Sequence, residues 1–343
     1  MSLSLSIAES GFVPGPALSQ GMRLTGKKRL CHEAQGDVHA RQRNKMSLIR
    51  KMDKSPVVLN NTNLGDHPFQ VPLEFYRHVL GPAMLFSCCH FSEEENSLEK
   101  AEKTMLKLIC KRADIRDGQR ILDLECGWGG LSLYMAKKFP RTDIIAVTSS
   151  CPQKEYLKAK VKALGLTNLH PVIVDIKNFA PRGLFDRVVS IELFNHIRNW
   201  RNMLSRISQW LEPKGNLFLQ MYCHRHFAYT FDGPGPKDYM ARYFFPCSMM
   251  PSSDLLLYFQ DRLLVNEHWR VSGAQYQKTA RAWAANMRTN KAEIMGIMDN
   301  VYGKDRGKLW FLRWKNFFLA CESLWGYGQG KEWMVSHYRM NLR

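Results

Sequence analysis

The sequence predicts an α/β fold: a mostly parallel sheet with helices on both faces and an inserted cap region. Three observations carry this. Between about residues 97 and 222, short apolar segments alternate with segments of helical period. The short segments are apolar throughout rather than at every second residue, as strands buried on both faces are. A glycine-rich run, Asp123-Leu124-Glu125-Cys126-Gly127-Trp128-Gly129-Gly130, joins the first strand to the next helix. Such a turn lets bare backbone approach a ligand, with helix-terminal N–H groups aimed at it.

Residues 1–54 are rich in Ser, Gly, Lys and Arg without a sustained period, and read as a basic, mostly disordered extension. Order is expected from Val71–Leu80, where apolar residues recur at helical spacing. Ser97–Ala113 reads as a helix with Leu98, Ala101, Met105, Leu108 and Ile109 on one face and Ser97 as N-cap. Strands follow at Arg120–Leu124, Asp143–Thr148, His170–Asp175, Phe185–Glu192 and Asn216–Tyr222. Helices intervene at Leu131–Lys138, Gln153–Leu164 and Trp200–Leu211. Residues 223–255 carry many Gly, Pro and aromatic residues and read as a cap over the ligand cleft. Two helices, Gln275–Val301 and Lys308–Trp325, and a last strand, Glu332–Met340, complete the chain.

Composition bounds the function. With 343 residues, 45% hydrophobic and 23% charged, the chain can bury a core. No apolar run approaches the ~18 residues of a membrane span. The net charge of +18 includes ten Lys/Arg against four acids in residues 1–54. This reads mainly as a solvated basic surface, with peripheral contact with anionic lipid left open. No RNA-binding signature accompanies the charge, so no nucleic acid partner is expected. The nine cysteines are odd in number, and no secretory segment is visible, which points to a reducing compartment, the cytoplasm.

The second strand ends in Thr148-Ser149-Ser150, where a dinucleotide fold would place an acid on a ribose hydroxyl. A nicotinamide cofactor is therefore disfavoured. Here the motifs resemble those of the cyclopropane-fatty-acyl-phospholipid synthase and coclaurine N-methyltransferase superfamily, from about Val71 to Met340. Leu80-Gly81-Pro82 and Phe86-Ser87-Cys88-Cys89-His90-Phe91 are similar to the family's LGP and YSCCYF. LDLECGWGG resembles LDLGCGWG, Val147–Gln153 resembles the VTNSxxQ loop, Glu192-Leu193-Phe194-Asn195-His196 resembles ExFEH, and Glu332–Tyr338 reads EWMVSHY. Six ordered motifs are specific where any single one is weak.

The resemblance implies a Rossmann-like class I methyltransferase using S-adenosyl-L-methionine. Its cofactor-binding core would span about 97–222 and its cap and C-terminal part 223–343, within one domain over 55–343. Phe86 and Ser87 would lie near the methionine end of the cofactor, and Gly127 and Gly129 along its amino-acid portion. Ser149 and Gln153 would hold the ribose or adenine side, and Asp175 the adenine amine. Asp123 and Glu125 belong to the same turn. Three positions depart from the family: Glu125 stands for a glycine, Phe86 for a tyrosine, and Asn195 for the second glutamate of ExFEH. In the synthases that glutamate looks to hold the bicarbonate base, so its absence weakens a cyclopropanation reading.

Methyl transfer from a sulfonium asks the protein for positioning, desolvation and, with an amine, proton removal. Glu192 and His196 lie four residues apart just after the fourth strand, where a helical turn would aim both the same way. His196 can take the amine proton near neutral pH, Glu192 can orient the amine, and Asn195 can donate a hydrogen bond. Tyr276 resembles a family tyrosine near the reacting centre. Phe227, Tyr229, Tyr243, Phe245, Tyr258 and Phe259 are candidates to box an aromatic or quaternary amine. Cys223-His224-Arg225-His226 lacks a second ligand pair at zinc-like spacing, so no metal is expected. The reading is N-methylation of a small hydrophobic amine. Two alternatives stay open: lipid modification like that of the synthases, and a catalytically degenerate family member.

Overall fold

The computed structural model describes residues 9–59, 71–93, 97–231 and 239–343. Two helices come first, α1 (Gly15–Glu33) and α2 (Val38–Lys54). The first turn of α1 holds Pro16, where a missing N–H costs nothing. Asp37 caps α2, accepting from the Ala40 N–H at 2.7 Å. The disorder expected of residues 1–54 is thus not what residues 9–54 show, and residues 1–8 lie outside the described residues.

Docking, not an apolar stripe, holds this region. Gly26 of α1 packs against Trp333, whose ring would lie 3.6 Å from an added Cβ. Ser19 and Ser323 share a hydrogen bond of 2.8 Å. Ahead of α1, Glu9 pairs with Arg313 at 2.9 Å, both largely buried. In α2 only Ile49 and Met52 are buried, each worth about 1.5–3 kcal/mol. Ion pairs Lys45–Asp254 (2.7 Å) and Arg201–Asp53 (3.0 Å) flank them.

The core then alternates as expected. It runs through α3 (Leu73–Val79), α4 (Leu98–Arg112), β1 (Arg120–Leu124), α5 (Gly130–Lys138), β2 (Asp143–Thr148), α6 (Cys151–Ala163), β3 (Leu169–Ile173), β4 (Phe185–Ile191), α7 (Trp200–Ser208) and β5 (Leu211–His224). Ser97 caps α4, accepting from Lys100 N–H at 3.3 Å. The cap region holds a two-stranded ribbon, β6 (Tyr229–Thr230) with β7 (Met249–Met250), and a short helix, α8 (Tyr239–Tyr243). Next come β8 (Leu263–Ser272), α9 (Gly273–Thr289), α10 (Lys291–Tyr302), α11 (Lys304–Trp325) and β9 (Trp333–Leu342).

The seven-stranded sheet has the order β3-β2-β1-β4-β5-β9-β8. The first five strands are parallel; β9 enters antiparallel between β5 and β8. Strand β8 was not anticipated. It is an outer edge with Glu267 and Leu264 exposed, so it lacks the continuous apolar signal of the inner strands. The single helix expected over Gln275–Val301 is two, broken at Asn290.

Separate apolar cores cover the two sheet faces. One joins α3–α6 and α9–α11, the other α2 and α7. Among the described residues no helix is long and apolar enough to cross a membrane. The carboxyl ends of β1, β2, β4 and β5 are tied side by side: Cys126 N–H donates to Val147 C=O at 2.9 Å, and Glu192 N–H to Gln220 C=O at 2.7 Å. Open α/β sheets bind ligands at that edge.

Candidate active site

A cavity of about 1230 Å³ opens over this edge. Its polar wall comes from the strand ends: Asp123, Glu125, Gly127, Ser149, Gln153 and Asp175 all line it. Gly127 adopts φ +57°, and nothing lies within 4 Å of an added Cβ, so its backbone faces open space. Gly129 behaves differently. It is absent from the wall, and a side chain there would strike Leu157, so its glycine serves the packing of α6.

Asp123 is buried and accepts from the Ser132 hydroxyl at 2.5 Å; burial pushes its pKa up to about 7. Gln153 accepts from the Thr148 hydroxyl at 2.6 Å. Asp175 accepts from the Lys177 N–H at 2.9 Å and pairs with its ammonium at 3.2 Å. Glu125 takes φ +58°, a conformation that favours glycine. Its carboxyl group lines the cavity together with Ser149 and Asp175. Burial, more than the charge of Asp175, raises its pKa.

At the end of β4, Glu192 also has positive φ, +60°. The chain continues as a short 3-10 turn, Leu193–Asn195, rather than an α-helical turn. Glu192 and His196 nonetheless both line the cavity. The Glu192 carboxylate is held at both oxygens: Ser87 donates to Oε1 at 3.0 Å and Tyr276 to Oε2 at 3.1 Å. Burial pushes its pKa up to about 7, while these bonds, Gln220 and the Cys88 N–H pull it down. His196 Nδ1 lies 2.8 Å from the Ser248 hydroxyl. Phe86 packs its ring against Tyr76 and Trp283, 5.7 and 5.2 Å between centroids, and also faces the cavity.

Asn195 is not brought to the site. It is fully buried, its amide donating to the carbonyls of Tyr222 (2.9 Å) and Met249 (3.4 Å), and it does not line the cavity. Of the six aromatic candidates, Tyr229 and Phe245 reach the wall. Phe227 stacks on His224, Phe259 packs on Trp200, Tyr243 lies under Arg313, and Tyr258 faces Lys45. Cys223 is bonded to Ser336, and His224 Nδ1 accepts the N–H groups of His226 and Phe227. Among the described residues no group of three His, Cys, Asp or Glu side chains could hold a metal ion.

Sequence reasoning missed most of the apolar wall. Tyr76, Tyr222, Trp283 and Trp325 come from four different segments. Tyr276 stacks on Trp325 with centroids 4.7 Å apart. Met22, Thr25 and Arg29 close the cavity from α1, with the Arg29 guanidinium 5.0 Å from the Tyr229 ring centre. Gln220 bridges to Ser87 from β5. A buried polar residue inside an apolar strand was the available signal for Gln220; α1 carried none.

The polar wall suits a nucleoside with an amino-acid arm. It offers acceptors for hydroxyls and amines, bare backbone at Gly127, and aromatic cover. Comparison with known proteins agrees. The profile of the mycolic acid cyclopropane synthetase family matches residues 60–327. The chain is 32% identical to the (S)-coclaurine N-methyltransferase of Thalictrum flavum subsp. glaucum, over 96% of this chain and 92% of the relative. It is 33% identical to that of Papaver somniferum, over 96% and 95%. The crystal structure of a coclaurine N-methyltransferase bound to N-methylheliamine and SAH superposes with a TM-score of 0.94, at 31% identity over 98% of both chains.

Proposed function

Because the chain belongs to the mycolic acid cyclopropane synthetase family and is an S-adenosylmethionine-dependent methyltransferase, we propose that it N-methylates a small hydrophobic amine. One observation carries the choice of an amine: a carboxylate, Glu192, held at both oxygens at the foot of an aromatic cavity. S-adenosylmethionine supplies a methyl group already activated by its positive sulfur. The residues then need to seat the acceptor in line and remove a proton.

In this reading Glu192 attracts the amine and fixes its N–H direction. His196, anchored through Nδ1 to Ser248, receives the proton at Nε2. Ser87 and Tyr276 keep the Glu192 carboxylate from rotating. Tyr229, Phe245 and Trp325 supply ring faces for a cationic or aromatic acceptor and displace water. Asp123, Gly127, Ser149, Gln153 and Asp175 hold the cofactor, with Phe86 beside it. Asn195 supplies no second carboxylate to the cavity, which speaks against lipid methylene transfer. Nine free cysteines fit a reducing compartment, and the cytoplasm is the location this reading assigns.

The test is labelled-methyl transfer by the full chain to a panel of secondary and tertiary hydrophobic amines and to unsaturated phospholipid vesicles. Label in an amine, falling at least ~100-fold in Glu192→Gln, is expected. Label entering only the lipid acyl chains would overturn the assignment.

A further inference from the structure

Segment 80–91 runs along the cavity as a strap, and Met84, Leu85, Phe86 and Ser87 all line the wall. Helix α9 pins its downstream half: Thr279 accepts from the Cys89 N–H at 3.0 Å and Gln275 from the Phe91 N–H at 2.7 Å. One side chain of α4 holds the upstream half. Glu102 is fully buried, on a helix whose other buried residues are Ala101, Met105, Leu106, Ile109 and Cys110. A buried carboxylate is costly unless its oxygens are bonded. Here the strap does the bonding: Oε2 accepts from the Ala83 N–H at 2.9 Å and Oε1 from the Leu85 N–H at 3.2 Å.

Between those two N–H groups sits Met84 at φ +55°, a left-handed conformation that a residue with a side chain adopts at a cost. Such a turn persists only where its surroundings hold it, and the two carboxylate oxygens bracket it. Gly81 leaves the room, since a Cβ there would strike the Glu102 carboxylate. The Ala83 carbonyl lies against Gly130, in the first turn of α5. The strap is thus wedged between α4 and the glycine-rich turn. Ser87, two residues past the bracket, donates to Glu192 Oε1 at 3.0 Å.

We propose that Glu102 is a positioning residue for methyl transfer: from α4 it clamps the strap, and through the strap it sets Ser87 on the Glu192 carboxylate. The proposal rests on the role given above to Glu192. The clamp needs two acceptor oxygens. An amide of the same shape has one, so its nitrogen would face one of the two N–H groups.

The experiment is a double-variant cycle on the full chain. It is read in labelled-methyl transfer to the panel amine that the wild type labels fastest, and in hydrogen exchange. Glu102→Gln and Ser87→Ala should each lower kcat/KM about tenfold, as loss of a bond to a charged acceptor does. The double variant should fall within about twofold of Ser87→Ala alone, because the two residues act in series. In Glu102→Gln the amides of 80–91 should exchange at least about tenfold faster, with β1 and β4 unchanged. Gly81→Ala displaces the carboxylate without removing it; it should give the same pattern, and it decides the matter if Glu102→Gln does not fold. Losses that multiply to about 100-fold, or unchanged exchange in the strap, would overturn the proposal and leave the reading of Glu192 standing. Amine methylation indifferent to both Ser87→Ala and Glu192→Gln would overturn both.

Discussion

The Tyr276 hydroxyl donates to Oε2 of Glu192 at 3.1 Å, from a ring stacked on Trp325. This bond, with that of Ser87, favours the ionised carboxylate, whereas burial opposes it and holds the pKa near 7. Catalysis by the proposed route needs the ionised form. Tyr276→Phe removes a bond to that form, so the Glu192 pKa should move further up. The acid limb of the pH–kcat/KM profile should shift to higher pH, with about a tenfold loss at neutral pH and a smaller one at pH 9. A uniform loss at every pH would show that Tyr276 acts only through packing.

Asp123 gives a second pH signature, read in stability. Its pKa is up to about 7 in the fold, against an ordinary 3.8. The folded chain therefore keeps this proton after the unfolded chain has lost it. Between about pH 4 and 7 the residue's contribution to stability falls as pH rises, and above that it is constant. Asp123→Asn keeps an acceptor for Ser132 and removes the titration. Relative to wild type, the variant should gain on the order of 2 kcal/mol between pH 5 and 8 in urea unfolding. A difference independent of pH would be incompatible with a raised Asp123 pKa.

What was legible in the sequence follows from where the signal is local. Strands β1 and β2 are bounded by the same residues that period and apolarity suggested, because both have a strand on each side and are largely buried. The polar wall was legible because its residues sit on strand ends, next to motifs. The apolar wall was not. Trp283 and Trp325 look like any core residues until α9 and α11 fold over the sheet. Helix α1 was the largest omission. Its packed face is built from small residues such as Gly26, which carry no periodic signal, and its anchors Ser323 and Arg313 lie some 300 residues away in sequence. Asn195 shows the converse: a motif placed it beside His196, but the 3-10 turn sends its side chain inward.

The Glu9–Arg313 pair anchors the start of α1, and both side chains are largely buried. Arg313 also donates to Tyr243 and lies 4.1 Å from that ring's centre. Removing one partner strands a desolvated charge, whereas replacing both does not. Glu9→Gln should cost about 1–3 kcal/mol in urea unfolding. The double variant Glu9→Gln, Arg313→Met should cost less than the two single variants added together. Helix α1 lines the cavity beside Tyr229, a ring the proposed reading gives to the acceptor, so Glu9→Gln should raise the amine KM several-fold and change the SAH Kd by less than about twofold. Equal weakening of both ligands would mean that α1 does not distinguish the two halves of the cavity.

Asn195 tests whether the missing second carboxylate can simply be restored. Its Nδ2 donates to the carbonyls of Tyr222 and Met249 inside the protein. Asn195→Asp has the same shape, but it places an acceptor where a donor is required. At least one carbonyl then loses its partner, and an ionised carboxylate would face two carbonyl oxygens without water. The variant should lose about 2–4 kcal/mol at neutral pH and recover part of it in acid, where the carboxyl can donate again. Asn195→Glu is larger and should be worse. Neither should acquire methylene transfer to phospholipid, since the new acid would point away from the cavity. A variant as stable as wild type that made cyclopropane lipids would show that this side chain can turn into the cavity, and would remove the argument from Asn195 against lipid methylene transfer.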